Sequence, residues 1–322
     1  MKASFAYIMI THRAPLKKAP LKIANQGIGF FIPPIASYSE FACNAGDTVQ
    51  WELSFFRMSP ANVRLRVVFT AFPLHEQDAI HCQALARVGW WEQPLSSDAK
   101  TTNQLAVSQF LCRSNVLPTD AFTLLGKQCH MASNRNGVAL VGTSYEQFQR
   151  IVICQALAAA YHHVMTKKMR ALSEHLKHQR FDALAKLHEE VLAFNASDFF
   201  AQPVGTCRQP LNNAWSHLTT HWQLDTHNQQ LTAQLSDISN LLHAKRERHA
   251  QQRREARYQQ ERIEQQHQQA ERAATQEAHA RRALRIDVTL GLIGVLSILS
   301  LVQVTPSDIG QFLGAWAALL LS

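Results

Sequence analysis

The six cysteines, Cys43, Cys82, Cys112, Cys129, Cys154 and Cys207, include no C-x-x-C pair. Thiols scattered in this way give no disulfide framework and fit a reducing, cytosolic compartment. The chain also lacks a Walker-type loop, a G-x-S-x-G elbow and a G-x-G-x-x-G turn behind a strand. Those absences remove the common phosphate-cradling and nucleophile-elbow enzymes and leave catalysis the least supported class. Near the start, the apolar run 5–10 is too short for a signal-peptide core and has no small-residue cleavage site. The N-terminal region is therefore expected to stay in the cytoplasm. His75, His81, Cys82, Cys129 and His130 are the candidates for a zinc site, but their spacing is not that of a ligand pair. No metal or cofactor site is assigned on these residues.

The remaining chemistry is a net charge of +8 and a strong segregation of residue types along 322 positions. Residues 1–26 read as an arm carrying Lys17, Lys18 and Lys22. From 27 to 142, short apolar and β-branched runs (28–35, 48–56, 63–72, 137–141) alternate with turn signals such as Pro33-Pro34 and Ser59-Pro60. Val63, Arg64, Leu65 and Arg66 alternate as a half-solvated strand would. This region is expected to be a mixed α/β domain, within an overall α+β fold.

Helical patterns then take over. Thr143 with Glu146 and Ser144 with Gln147 form overlapping capping boxes, and no Gly or Pro follows up to about 179. Leu184, Leu187, Val191 and Phe194 mark a second helix, so 143–209 is expected to be a helical bundle region. His162 and His163 fall in the apolar first helix, one facing the core and one solvent. Between Pro210 and Gly291 there is neither Gly nor Pro. A stalk helix over 210–286 is expected, about 120 Å long if the whole Gly- and Pro-free span is helical. Leu231, Leu235, Ile238 and Leu242 form a heptad seam that calls for a partner helix. Beyond it the register turns polar, and between 245 and 285 eleven Lys/Arg stand against six Glu. That net +5 suits either a solvated helix or helices around a wet interior. Aromatics other than Tyr258 are missing from this tract, so nucleic acid is not an expected partner.

Charge is almost absent from the last stretch. Between 288 and 322 the sole charged side chain is Asp308, and Arg281, Arg282 and Arg285 precede it. A transmembrane helical hairpin over 287–322 is expected, entered from the cytoplasm, with the turn at 304–310 outside and the end of the chain returning inside. Thr305, Ser307 and Asp308 would form the outer loop. Thr289, Ser297, Ser300 and Gln303 share one stripe, which suits either a pore lining or local hydrogen bonding to the helix's own backbone. Gly310, Gly314 and Ala318 would allow close packing of membrane helices.

This order of parts resembles the CorA magnesium transporter family. Residues that carry the likeness are 192–200, Gln202-Pro203, Trp215 and 224–242, and it covers roughly 143–322. The resemblance implies a homopentamer in the lipid bilayer of the inner membrane, with a divalent cation as the transported species. The family's Gly-Met-Asn signature is missing, since 302–308 reads Val-Gln-Val-Thr-Pro-Ser-Asp. Magnesium selectivity is thus not implied. The readings that follow are a cation channel or transporter, a membrane-perturbing effector whose cytoplasmic domain senses a ligand, and a tethered coiled-coil scaffold.

Overall fold

The computed structural model describes residues 2–12, 19–44, 50–73, 84–93, 100–115, 117–126, 128–134, 137–205, 208–301 and 310–311. Two compact units divide the chain, Met1–His243 and Ala244–Ser322.

The first unit is built on a nine-stranded sheet. In chain order its strands are β1 (Ala3–Ile10), β2 (Ala19–Pro20), β3 (Glu40–Asn44), β4 (Gln50–Phe55), β5 (Val63–Thr70), β6 (Ala86–Trp91), β7 (Thr123–Leu124), β8 (His130–Asn134) and β9 (Gly137–Val141). They lie in the order β2-β3-β4-β5-β1-β6-β9-β8-β7. Every pairing is antiparallel except β6 with β9. That parallel pair needs a crossover, and the connection contains the helix α2 (Lys100–Cys112). A short helix, α1 (Pro33–Ser37), precedes β3.

The expected N-terminal arm instead supplies the centre of the sheet. Phe5, Ala6, Tyr7 and Ile8 of β1 are all buried, with Phe5 and Tyr7 in one apolar cluster and Ala6 and Ile8 in another. A strand covered on both faces shows a continuous apolar run, so alternation gives no signal for it. The α2 face holds Phe5, Trp91, Phe110 and Val141. A Cβ on Gly89 would lie 2.7 Å from the Trp91 ring, so glycine makes room for that packing.

The opposite face of the sheet carries α3 (Tyr145–Lys177). Ser144 is its N-cap, its side chain accepting from the Gln147 N–H at 3.2 Å. Residues 151–161 of this helix are all buried, and one cluster joins them to strand residues such as Val67, Val88 and Leu140. The division expected near 142 is therefore not a boundary in the core. Behind α3 come α4 (Phe181–Ser197) and α5 (Gln209–Trp222), followed by α6 (Leu224–Leu301). The uninterrupted helix expected from 210 breaks at Gln223, which takes a left-handed φ of 50° and returns its N–H to Thr219 and Thr220 carbonyls. Glutamine carries no breaker signal, which hides this turn in the sequence.

Leu231 and Leu235, at the start of α6, are each 1% exposed. They pack with Leu172, Leu184, Leu187 and Val191, and Ile238 and Leu242 lie against the same cluster. The heptad seam finds its partners in α3 and α4 of the same chain.

In the second unit every side chain of α6 that is described is exposed. Among the described residues no helix is long and apolar enough to cross a membrane. That overturns the transmembrane hairpin expected over 287–322, together with the membrane, transmembrane and channel assignments and the inner-membrane location built on it. The physical reason is length. The described apolar end of α6 runs from 288 to 301, roughly 21 Å of helix, whereas a bilayer core is about 30 Å thick. Arg285 and Asp287 close it off on the near side.

Candidate functional site

A cleft of about 420 Å³ opens between α3 and α4, roofed by residues 60–62 between β4 and β5 and by Val63, the first residue of β5. From α3 it receives His163, Lys167, Lys168 and His175, and from α4 Lys186 and Glu190. The rows 163–167–171 and 164–168–171–175 follow helical periodicity, which brings these side chains to one face. Lys168 and Glu190 pair across the two helices, with the lysine side chain 12% exposed. Lys167 and Lys186 are exposed and have no ion-pair partner among the described residues. Three lysines against one glutamate leave an excess of +2, counted with neutral histidines. Apolar atoms of Ala61, Val63, Val164 and Leu187 complete the walls.

Positive groups surround one of the imidazoles here. Burial lowers the pKa of His163, and Lys167, Arg170 and His12 lower it further through charge. In His175, Nδ1 is buried and has no hydrogen-bond partner among the described residues. On the roof, the Ser54 hydroxyl donates to Asn62 Oδ1 at 3.3 Å, leaving the exposed Asn62 amide nitrogen as a donor.

Below the roof a buried network ties the elements together. Tyr161 donates its phenol proton to the Asp198 carbonyl at 2.8 Å and accepts from the Phe200 N–H at 3.3 Å. Burial pushes the Tyr161 phenol pKa up. Asp198 is 4% exposed, and burial raises its carboxyl pKa against side-chain hydrogen bonds from Ser59 and Ser197. This network fixes residue 59, next to the roof, to the end of α4.

A second group of histidines joins α3, α5 and α6. His162 packs on Trp222 at 4.8 Å and faces His227 at 5.5 Å between ring centroids. His217 lies 2.9 Å from the Ser133 hydroxyl. His217 and His221 stand four residues apart on one helix, a spacing suited to paired metal ligands that the sequence reading passed over. Among the described residues no three His, Cys, Asp or Glu side chains gather closely enough to hold a metal. Cys129, whose thiol burial pushes up, and His130 belong to the described residues; His75, His81 and Cys82 lie outside them.

Of the residues expected along a pore, Thr289 and Ser297 are exposed on α6. The Thr289 hydroxyl donates to the Arg285 carbonyl within its own helix, the local bonding open to a helical threonine. Ser300 belongs to α6, whereas Gln303, Thr305, Ser307, Asp308, Gly314 and Ala318 lie outside the described residues. At Gly310 an added Cβ would meet nothing within 4 Å among the described residues.

Lys167, Lys168, His175 and Lys186 were not singled out by the sequence. Their spacing on two helices was readable, but the meeting of those helices under a strand-to-strand loop was not. No protein-family model, curated protein or solved structure matches the chain.

Proposed function

We propose that this protein is a self-associating assembly protein, held together by copies of the α6 segment in the unit Ala244–Ser322. One observation carries the reading. The large apolar side chains between 286 and 298 are each 55–66% exposed in the single chain. At 100° per residue they point to all sides of the helix, and a helix apolar all round is stable only when surrounded. Full burial of each such side chain stabilises by about 1.5–3 kcal/mol. A two-helix seam covers only a strip, so several copies are needed around one axis.

The charged part of α6 sets the salt dependence. Each copy brings a net +5 between 245 and 285, and like charges in register repel. Ion pairs such as Arg281 with Glu277, 3.8 Å apart, support the helix within one chain. Association through the apolar segment should therefore tighten as salt screens the repulsion, whereas association through interchain ion pairs would loosen.

Light scattering on the full chain, at low and high salt, tests this. Wild type should elute as an oligomer of several copies, more completely at high salt. Leu292→Glu combined with Leu296→Glu should return it to monomer with an unchanged melting transition of the first unit. A wild-type monomer at every concentration would sink the reading.

A further inference from the structure

We propose that the cleft between α3 and α4 binds a small phosphomonoester with an apolar organic part. This goes beyond self-association and does not depend on it. The excess of +2 from Lys167, Lys168 and Lys186 against Glu190 matches a dianion. A phosphomonoester is such a dianion above its second pKa of about 6, whereas a carboxylate would leave one charge uncompensated. Lys168 is already engaged by Glu190, so Lys167 and Lys186 are the cations left for the guest. Donors arranged around one volume are also required, and the Asn62 amide and the two imidazoles line the same cavity.

The cavity, about 420 Å³, lies within the range of small-molecule sites. Its apolar walls at Val63, Val164 and Leu187 add contact for a ring or short chain, which inorganic phosphate cannot use.

Titration calorimetry on the full-length protein at about pH 7.5, with inorganic phosphate and phenyl phosphate as probes, decides the matter. Phenyl phosphate should bind saturably, and at least about tenfold tighter than inorganic phosphate, because one buried ring contributes more than 1.4 kcal/mol. Lys167→Met with Lys186→Met should weaken phenyl phosphate at least about tenfold, as loss of charge-assisted hydrogen bonds does. Both lysines are exposed, so the melting temperature without ligand should not move. Bound ligand should also raise the His163 titration midpoint followed by NMR, because the dianion favours the protonated ring. No saturable binding, equal affinity for the two probes, or binding unaltered by the double substitution would each overturn the assignment.

Discussion

Phe56 stacks on Tyr161, ring centroids 5.2 Å apart and planes 20° from parallel, although its own backbone is left-handed at φ 58°. A bulky residue in that region carries strain of about 1–3 kcal/mol. Burial offsets it, since Phe56 is 2% exposed and also meets the Phe194 ring edge-on at 5.5 Å. The turn that follows leads into the roof of the cleft, so an aromatic anchor holds a strained corner in place.

Two truncations at this position separate packing from backbone. Phe56→Ala and Phe56→Gly both remove the ring and should each destabilise by about 3 kcal/mol or more. Glycine, however, adopts positive φ without penalty, so Phe56→Gly should be the milder change by about 1 kcal/mol. Urea denaturation of the two variants reads the order directly. Alanine more stable than glycine would mean that the corner is unstrained.

The buried histidines give the stability a defined pH dependence. Burial lowers the pKa of His162, His217 and His221, with His227 and His163 adding to the effect on His162 and His217 adding to that on His221. The unfolded chain takes up protons around the ordinary value of 6.5, where the folded chain still holds these rings neutral. Their contribution is thus complete above that value and lost as pH falls through it toward the lowered folded values. Asp198 acts in the opposite sense at lower pH. Its raised carboxyl pKa costs stability above its folded value, and that cost is relieved as pH falls toward 3.8. Melting temperature should therefore fall below about pH 6.5, and His217→Gln should flatten the fall. A profile unchanged by that substitution would remove His217 from the effect.

What could be read in the sequence follows from how local each feature is. Ser144 and Gln147 announce the start of α3 through a four-residue pattern, and the capping bond forms there. Val63, Leu65 and Val67 alternate with arginines because one face of β5 is less buried, and the strand is found where expected. By contrast, β1 is covered on both faces, so its residues look like any short apolar run. On either side of the break at Gln223, Trp222 and Leu224 both pack into the core, and nothing in the tripeptide Trp-Gln-Leu signals the turn. Reading 287–322 as a hairpin weighed the scarcity of charge. The described helix there falls short of a membrane's thickness. The cleft was hidden for a different reason from β1, because its residues come from two helices and a distant loop.

The leucine seam provides the last test, because it separates the folding of the first unit from the association of the second. Leu235 packs with Leu184, Leu187 and Val191 inside one chain and is 1% exposed. Truncating it removes buried methyl groups and leaves a cavity, so Leu235→Ala should cost about 2–5 kcal/mol of stability. Were the seam instead an interface between copies, the same substitution would dissociate the oligomer and spare the isolated fold. Thermal melts and light scattering on Leu235→Ala, run beside Leu292→Glu with Leu296→Glu, give two opposite signatures. The seam variant should melt lower while keeping the wild-type oligomer below its transition. The apolar-segment variant should keep the melting point of the first unit and lose the oligomer. Dissociation by Leu235→Ala without a lower melting point would place the seam between chains and contradict the packing described for α3, α4 and the start of α6.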